Sequence, residues 1–157
     1  VILAEIAAWA KDQGLSLYQL LQKIYVEYGF SKEKGISVVK KGKSGAEEIE
    51  AMMKKFRENP LTEIAGSKVT YFYDYSTLKG KDYAENETVT LDMPTTSNVL
   101  QYFTEDNTKV SIRPSGTEPK IKFYCEVHSK VKSIDELPEA EKAAEEKINQ
   151  IKASLGI

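Results

Sequence analysis

The spacing of apolar residues at the start of the chain predicts a pair of helices. Residues 2–13 are rich in alanine and leucine and end at Gly14, and a glycine directly after a helix is typical of a C-terminal cap. Ser16, with a glutamine three residues later, forms a capping-box pattern that begins a second helix. Apolar residues then recur at helical spacing, at Leu17, Leu20, Leu21 and Ile24. We therefore predict a helical hairpin over residues 1–29, with a boundary near Gly29.

After this boundary the pattern alternates between strand-like and helical segments. Apolar, β-branched and aromatic residues predict strands over residues 30–41, 69–75, 99–104, 109–113 and 120–127. Helical spacing predicts helices over residues 44–59 and 139–155. Ser44 and Glu47 form a capping box for the first of these helices, and its apolar face is formed by Ala46, Ile49, Met53 and Phe56.

Residues 76–97 show a different pattern. They are polar and turn-rich with no clear period, which predicts a long surface loop. The order of elements after residue 29 is then strand, helix, strand, loop, three strands and helix. This order predicts an α+β fold in which two helices cover one face of a largely antiparallel sheet, preceded by the short helical hairpin.

Composition narrows the class of protein. The 157 residues are 41% hydrophobic and 29% charged, which is typical of a globular domain, and no apolar run reaches membrane-spanning length. A net charge of −2 gives no reason to expect nucleic acid or an anionic membrane as a partner. One cysteine and one histidine exclude an internal disulfide and a structural zinc site, so we expect a reducing cytoplasm. The opening VILAEIAAWAKDQG has neither an initiating methionine nor a basic leader, so we expect the chain to begin inside a longer protein.

The turn between the last two predicted strands carries unusual chemistry for a turn. It reads RPSGTEPK, from Arg113 to Lys120. An arginine offers a planar fork for bidentate phosphate contact, and Ser115 and Thr117 add hydroxyl donors. Gly116 allows positive φ and close approach of the backbone to a ligand, while the two prolines reduce the entropy lost on ordering. This combination predicts an anion site. The alternative on spacing alone is a decorated hairpin turn whose charges are solvated.

The segment VSIRPSGTEPKIKFYCEV resembles the C-terminal signature of the α-D-phosphohexomutases, the phosphoglucomutase and phosphomannomutase superfamily. Two further stretches, LAEIAAWAKDQGLSLYQLLQKIYVEYG and KKGKSGAEEIEAMMKKFRENP, also look like the end of a bacterial phosphoglucomutase-like member. Such enzymes move a phosphoryl group between the 1- and 6-positions of a hexose. A phosphoserine donates the group, a hexose 1,6-bisphosphate is the intermediate, and Mg²⁺ assists.

The resemblance implies a fold and a site for this chain. The fourth domain of the family has a TATA-binding-protein-like fold, a curved antiparallel sheet with two helices, and it holds the phosphate that is not being transferred. By the family pattern Arg113, Ser115, Gly116 and Thr117 match phosphate-contacting positions, and Lys120 is a weaker candidate that orients the loop instead. We expect residues 1–29 to be the end of the third domain and residues 30–157 to be the fourth.

The chain lacks the family's phosphoserine loop, its aspartate-rich magnesium loop and its sugar-recognition loop. The resemblance therefore implies a fragment without catalytic residues of its own, inactive alone, whose partners are a hexose phosphate and the three upstream domains. A stand-alone α+β module that binds a phosphorylated or carboxylated partner is the rival interpretation. Outside the turn, we expect His128 to be an ordinary surface residue and Cys125 to be buried and inert.

Overall fold

A computed structural model describes residues 1–157, apart from the side chain of residue 43. The helices are α1 (Ile2–Asp12), α2 (Leu17–Tyr28), α3 (Gly42–Glu58) and α4 (Leu137–Leu155), with a short 3-10 helix at Ile134–Glu136. The strands are β1 (Phe30–Val39), β2 (Glu63–Ile64), β3 (Ser67–Asp74), β4 (Lys79–Asp82), β5 (Glu87–Thr90), β6 (Leu100–Thr104), β7 (Lys109–Pro114) and β8 (Lys120–Ser129).

Residue contacts divide the chain into two compact units. The first contains residues 1–32 and 128–145, and the second contains residues 33–127 and 146–157. The sequence predicts a boundary near Gly29 between two domains of a longer protein. The division into these two contact units does not test that prediction.

In the first unit, α1 and α2 form the predicted helical hairpin. Ser16 and Gln19 make the capping box: the Gln19 N–H donates to Ser16 Oγ at 3.2 Å and the Ser16 N–H donates to Gln19 Oε1 at 2.8 Å. At the end of α1, Gly14 has φ of 69°, and the N–H groups of Gly14 and Leu15 donate to the carbonyls of Lys11 and Ala10. This is a Schellman arrangement, which requires the left-handed φ that glycine tolerates.

Many apolar side chains of the helical hairpin are exposed. Trp9 is 55% exposed, and the other exposed apolar side chains of α1 and α2 are Ile2, Leu3, Ile6, Leu17, Tyr18, Leu21, Ile24 and Tyr28. Neither face of the hairpin is therefore fully covered within this chain.

In the second unit, the sheet has the strand order β1-β8-β7-β6-β3-β4-β5, with β2 paired to β3. The pairings from β2 to β8 are antiparallel. The α+β class with an antiparallel sheet is thus confirmed. All the predicted strands are present, with ends displaced by one or two residues. In the described part of the chain, no helix combines the length and the apolar character that a membrane span requires.

Alternation along β8 defines the two faces of the sheet. Ile121, Phe123, Cys125 and Val127 are buried, as predicted from a period of two, whereas Tyr124 on the other face is 44% exposed. Helix α3 packs on the buried face, where the rings of Phe56 and Phe123 meet edge to face with centroids 6.0 Å apart.

Two predictions about local structure were wrong. Helix α3 begins at Gly42, and its N-cap is Lys41 without a side-chain cap hydrogen bond. Ser44 and Glu47 therefore form no capping box, because a φ of 75° at Gly42 turns the chain into the helix before Ser44 is reached. Ser44 and Glu47 lie instead within the first turns of the helix.

The second error concerns residues 76–97, where the structure has the β4–β5 hairpin rather than a long loop. The sequence KGKD has little intrinsic strand preference, so pairing of β4 with β3 on one side and with β5 on the other decides its conformation. Gly80 lies opposite Tyr73, and a Cβ at Gly80 would come within 2.4 Å of the Tyr73 ring. An aromatic ring that covers a glycine across two strands is a recognised way of stabilising such a pair.

Tyr102 links the sheet to the C-terminus of α3. Its side chain is fully buried and its hydroxyl donates to the Phe56 carbonyl at 2.9 Å. This carbonyl is among the last four of the helix, which have no partner within it. We predict that Tyr102→Phe lowers the free energy of unfolding by about 1 to 2 kcal/mol, because a buried acceptor loses its donor. Chemical denaturation measures the loss, with the exposed Tyr124→Phe as the control that changes little. Equal stabilities of the two variants would contradict the role of this bond.

Burial of Cys125 makes stability dependent on pH. The side chain is 1% exposed, and burial raises the pKa of its thiol from 9.0 to about 11. In the unfolded chain the thiol loses its proton first, so the unfolded state binds fewer protons and stability falls as pH rises above 9. The expected slope approaches about 1.4 kcal/mol per pH unit for one group. Burial also raises the pKa of Tyr102, so the comparison is best made below pH 10. Denaturant unfolding of Cys125→Ala between pH 8 and 10 should show a shallower decline than the unsubstituted chain.

Candidate functional site

The loop between β7 and β8 is held at both ends by backbone hydrogen bonds. The Ser115 N–H donates to the Lys120 carbonyl at 2.8 Å, and the Lys120 N–H donates to the Glu118 carbonyl at 2.7 Å. From outside the hairpin, the Lys40 N–H donates to the Pro119 carbonyl at 2.8 Å. The loop is therefore closed on itself and attached to the end of β1, which preorganises it.

One side of this loop borders an open pocket of about 440 Å³. Its lining consists of residues 113–118 with Lys120, Lys122 and Tyr124. All five residues predicted as a site, Arg113, Ser115, Gly116, Thr117 and Lys120, are thus brought together. Their role in binding stays a prediction.

Two cations of the pocket lie side by side on the outer face of the sheet. Arg113 and Lys122 are cross-strand partners in the β7–β8 pairing, and Lys122 lies between the buried residues Ile121 and Phe123. Arg113 is exposed. In the described part of the chain neither side chain has an acidic partner within ion-pair distance, so both are available to an anion.

Lys120 differs from these two cations because it has a partner. Its ammonium forms an ion pair with the Glu118 carboxylate, and the side chains are 26% and 59% exposed respectively. The hydrogen bond from Lys120 and its charge, with a further contribution from Lys122, lower the pKa of Glu118. The alternative that Lys120 orients the loop is compatible with this pairing.

Gly116 does not have the backbone conformation that the sequence analysis expected. The described glycines with positive φ are Gly14, Gly29, Gly42, Gly66 and Gly156. Gly116 is not among them, because a loop of five residues can reverse the chain without the left-handed residues that a two-residue turn needs. A Cβ at position 116 would meet no atom within 4 Å. The fold would therefore accept a residue with a side chain at position 116. What glycine provides there is a backbone that no side chain covers.

Donors around Gly116 remain available in the described structure. The Thr117 N–H donates to Ser115 Oγ over 3.4 Å, a long and weak bond. The N–H groups of Gly116 and Glu118 donate to no acceptor within the described residues. Hydroxyls, amides and cations in one open pocket can together bind a tetrahedral anion.

The other side of the loop borders the beginning of α3. A second opening of about 320 Å³ lies between the loop and α3, where Gly42, Ala46 and Ile49 form the helical side. Ala46, predicted on the apolar face of this helix, is exposed there.

The period of two along β8 predicts Lys122 and Tyr124 on the same outward face as Lys120, so the sequence already brings Lys122 together with Arg113 and Lys120. The structure places these residues around one pocket. Glu118 had no such signal, because its proximity to the ammonium of Lys120 depends on the loop conformation.

Other reactive groups do not form a second site of this kind. Cys125 is buried as predicted, and burial raises the pKa of its thiol, which disfavours the reactive thiolate. His128 is exposed at the end of β8. A pocket of about 370 Å³ near the end of α3 contains Arg57, which donates to Asp74 and Asn98 at 2.9 Å each and is thereby neutralised. Among the described residues, no group of three or more metal-ligating side chains could hold an ion.

The fold and loop define an α+β domain with a candidate anion-binding hairpin tip, and comparison with known proteins identifies the family. The family described as "Phosphoglucomutase/phosphomannomutase, C-terminal domain" matches residues 36–144. The chain therefore belongs to this family and corresponds to its C-terminal domain.

Curated relatives agree with this assignment. The phosphoglucomutase of Staphylococcus haemolyticus is 37% identical over 118 residues, which cover 75% of this chain and 21% of the relative. The phosphoglucomutase of Staphylococcus saprophyticus is 33% identical over 124 residues, covering 79% and 22%. The chain thus spans about a fifth of the length of these relatives.

Among solved structures, the open form of parafusin, a phosphoglucomutase from Paramecium, covers 75% of this chain and 19% of its own, at 15% identity and a TM-score of 0.38. A similarity this low adds nothing to the assignment.

The open surroundings of Gly116 lead to a prediction about stability. We predict that Gly116→Ala leaves the free energy of unfolding unchanged or raises it by up to about 1 kcal/mol, because φ is not left-handed and the unfolded chain loses entropy. Gly80→Ala is the contrasting variant, since its Cβ would collide with Tyr73 and the Phe72 carbonyl. Thermal denaturation measures both. A loss of more than about 1 kcal/mol for Gly116→Ala would show that the fold requires this glycine.

Proposed function

We propose that this chain is the phosphate-binding C-terminal domain of a phosphohexomutase, an isomerase that moves a phosphoryl group between the 1- and 6-positions of a hexose. The observation that carries the proposal is the position of the loop. The pocket with Arg113, Ser115, Gly116 and Thr117 lies within the segment that matches the family. In this proposal residues 1–29 end the preceding domain and residues 30–157 form the fourth.

Each site residue has a definite task in the proposal. Arg113 forms two parallel hydrogen bonds to the phosphate that is not transferred, since its guanidinium fork matches two phosphate oxygens. Lys122 adds a second charge from the neighbouring strand. Ser115 and Thr117 donate from their hydroxyls, and the N–H of Gly116 donates from the exposed backbone.

A grip on the phosphate suits an enzyme that must accept its intermediate in two orientations. The loop touches the phosphate alone and ignores the stereochemistry of the sugar, so either phosphate of a hexose 1,6-bisphosphate can occupy it. Holding the substrate in this way contributes to catalysis by positioning, and domain closure would exclude water.

The remaining chemistry belongs to other parts of a longer protein. Mg²⁺ would stabilise charge on the transferred phosphoryl group, but the described residues of this chain contain no ligand cluster for it. We assign neither magnesium nor the phosphoserine to this chain. The isolated chain is accordingly expected to be inactive.

The exposed apolar side chains of the helical hairpin favour an interaction with other domains of the same protein. Large exposed apolar patches mark interaction surfaces, and α1 and α2 expose Trp9, Leu3 and Tyr18 by more than half. The preceding domains are the proposed cover.

The central test is binding of phosphate to the loop. Addition of inorganic phosphate or glucose 1-phosphate at millimolar concentration should shift the NMR amide signals of residues 113–120 in the chain of 157 residues. Arg113→Ala should weaken binding by about tenfold or more, because a charge-assisted hydrogen bond is lost. Lys79→Ala, an exposed lysine on β4, is the matched control for the change in charge and should bind as before. The absence of shifts, or equal weakening by both variants, would refute the site.

In a longer protein that contains this chain, Arg113→Ala should lower kcat/KM for glucose 1-phosphate while the serine remains phosphorylated. Intact activity in such a variant would argue for the rival interpretation, a binding module without a role in catalysis.

A further inference from the structure

The candidate pocket contains a carboxylate where a site for anions would be expected to have none. Three cations, Arg113, Lys120 and Lys122, line it together with Glu118. The carboxylate of Glu118 repels a phosphate, so a carboxylate at this position calls for a function that offsets the repulsion. The loop tip is exposed, and no structural demand of the core places an acid there.

The ion pair shows what Glu118 does in the free loop. It contacts the ammonium of Lys120, and the lowered pKa of Glu118, due first to Lys120, is consistent with this contact. One of the three cations is therefore occupied before any ligand arrives, whereas Arg113 and Lys122 have no carboxylate within ion-pair distance among the described residues. The pocket has a net charge of +2, equal and opposite to that of a phosphate monoester, which is close to −2 above its second pKa.

We propose that Glu118 is a positioning residue that weakens the grip of the loop on phosphate by holding Lys120 away from the ligand. The inference rests on the proposed function and adds a reason for the loop to bind phosphate less tightly than its three cations would allow. A site that must release one phosphate and accept the other gains from fast dissociation. Binding by two free cations, rather than three, allows this fast dissociation.

A purely structural role of Glu118 predicts the opposite change in phosphate affinity when the carboxylate is removed. If the ion pair only orders the loop, removal of the carboxylate disorders the site and weakens binding. If Glu118 holds Lys120 back, removal frees a cation and removes a repulsive charge, which strengthens binding. The direction of the change therefore separates the two roles.

The test is a titration of the chain with inorganic phosphate at pH 7.5 and physiological ionic strength, followed by NMR. Glu118→Gln should lower the dissociation constant by about three- to fivefold, the range expected for an exposed ion pair, and should slow dissociation. Glu118→Ala should change binding in the same direction. Glu87→Gln on β5 is the matched control, because it changes net charge equally but lies four strands from β7 in the sheet, beyond the screening length of about 8 Å at physiological salt. Thermal denaturation verifies that each variant is folded.

The outcomes also separate this inference from the proposed function. If the unsubstituted chain binds no phosphate, or Arg113→Ala binds as well as the chain itself, the site fails and the inference fails with it. If phosphate binds, Arg113→Ala weakens binding as expected, and Glu118→Gln binds equally or more weakly, only the role of Glu118 is refuted.

Discussion

The antiparallel pairing of β7 with β8 is the constraint on which the rest of the site depends. Its register places Ile112 opposite Phe123 and Arg113 opposite Lys122. Because side chains alternate across a strand, burial of the first pair under α3 obliges the second pair to face outward. Shifting the register of β8 by one residue would turn Lys122 toward the core and Phe123 toward solvent. The stability of the core and the position of the charges are therefore decided by the same hydrogen bonds.

The loop at the end of this pairing combines rigidity with open chemistry. Backbone bonds from Ser115 and Lys40 hold it in place, so its donors need little ordering when an anion binds. The cationic side chains of the loop have fewer partners than its backbone. Arg113 and Lys122 are open to a ligand, whereas Lys120 is engaged by Glu118. The sheet therefore positions the loop, and local ion pairing decides which of its cations are free.

Much of the fold could be predicted from the sequence because its signals are local. Helical spacing and the capping box at Ser16 identified α2, and the period of two identified β8 with its buried and exposed faces. The RPSGTEPK turn was recognisable because its residue types match anion chemistry at adjacent positions. Where a signal depended on tertiary pairing, prediction failed: β4 forms because β3 offers an edge, β5 pairs with β4 in turn, and Gly80 fits there because Tyr73 covers it.

The sequence by itself determined the α+β order of elements, the faces of the central strands and the identity of the loop, since each depends on neighbours within a few residues. Tertiary structure alone decided the start of α3, the backbone conformation of Gly116 and the pairing of Lys120 with Glu118. The physical reason is that backbone dihedrals and ion pairs in a loop are chosen by the geometry of its anchoring points. For this loop those points are the end of β1 and the β7–β8 hairpin, which lie far apart in the chain and adjacent in the fold.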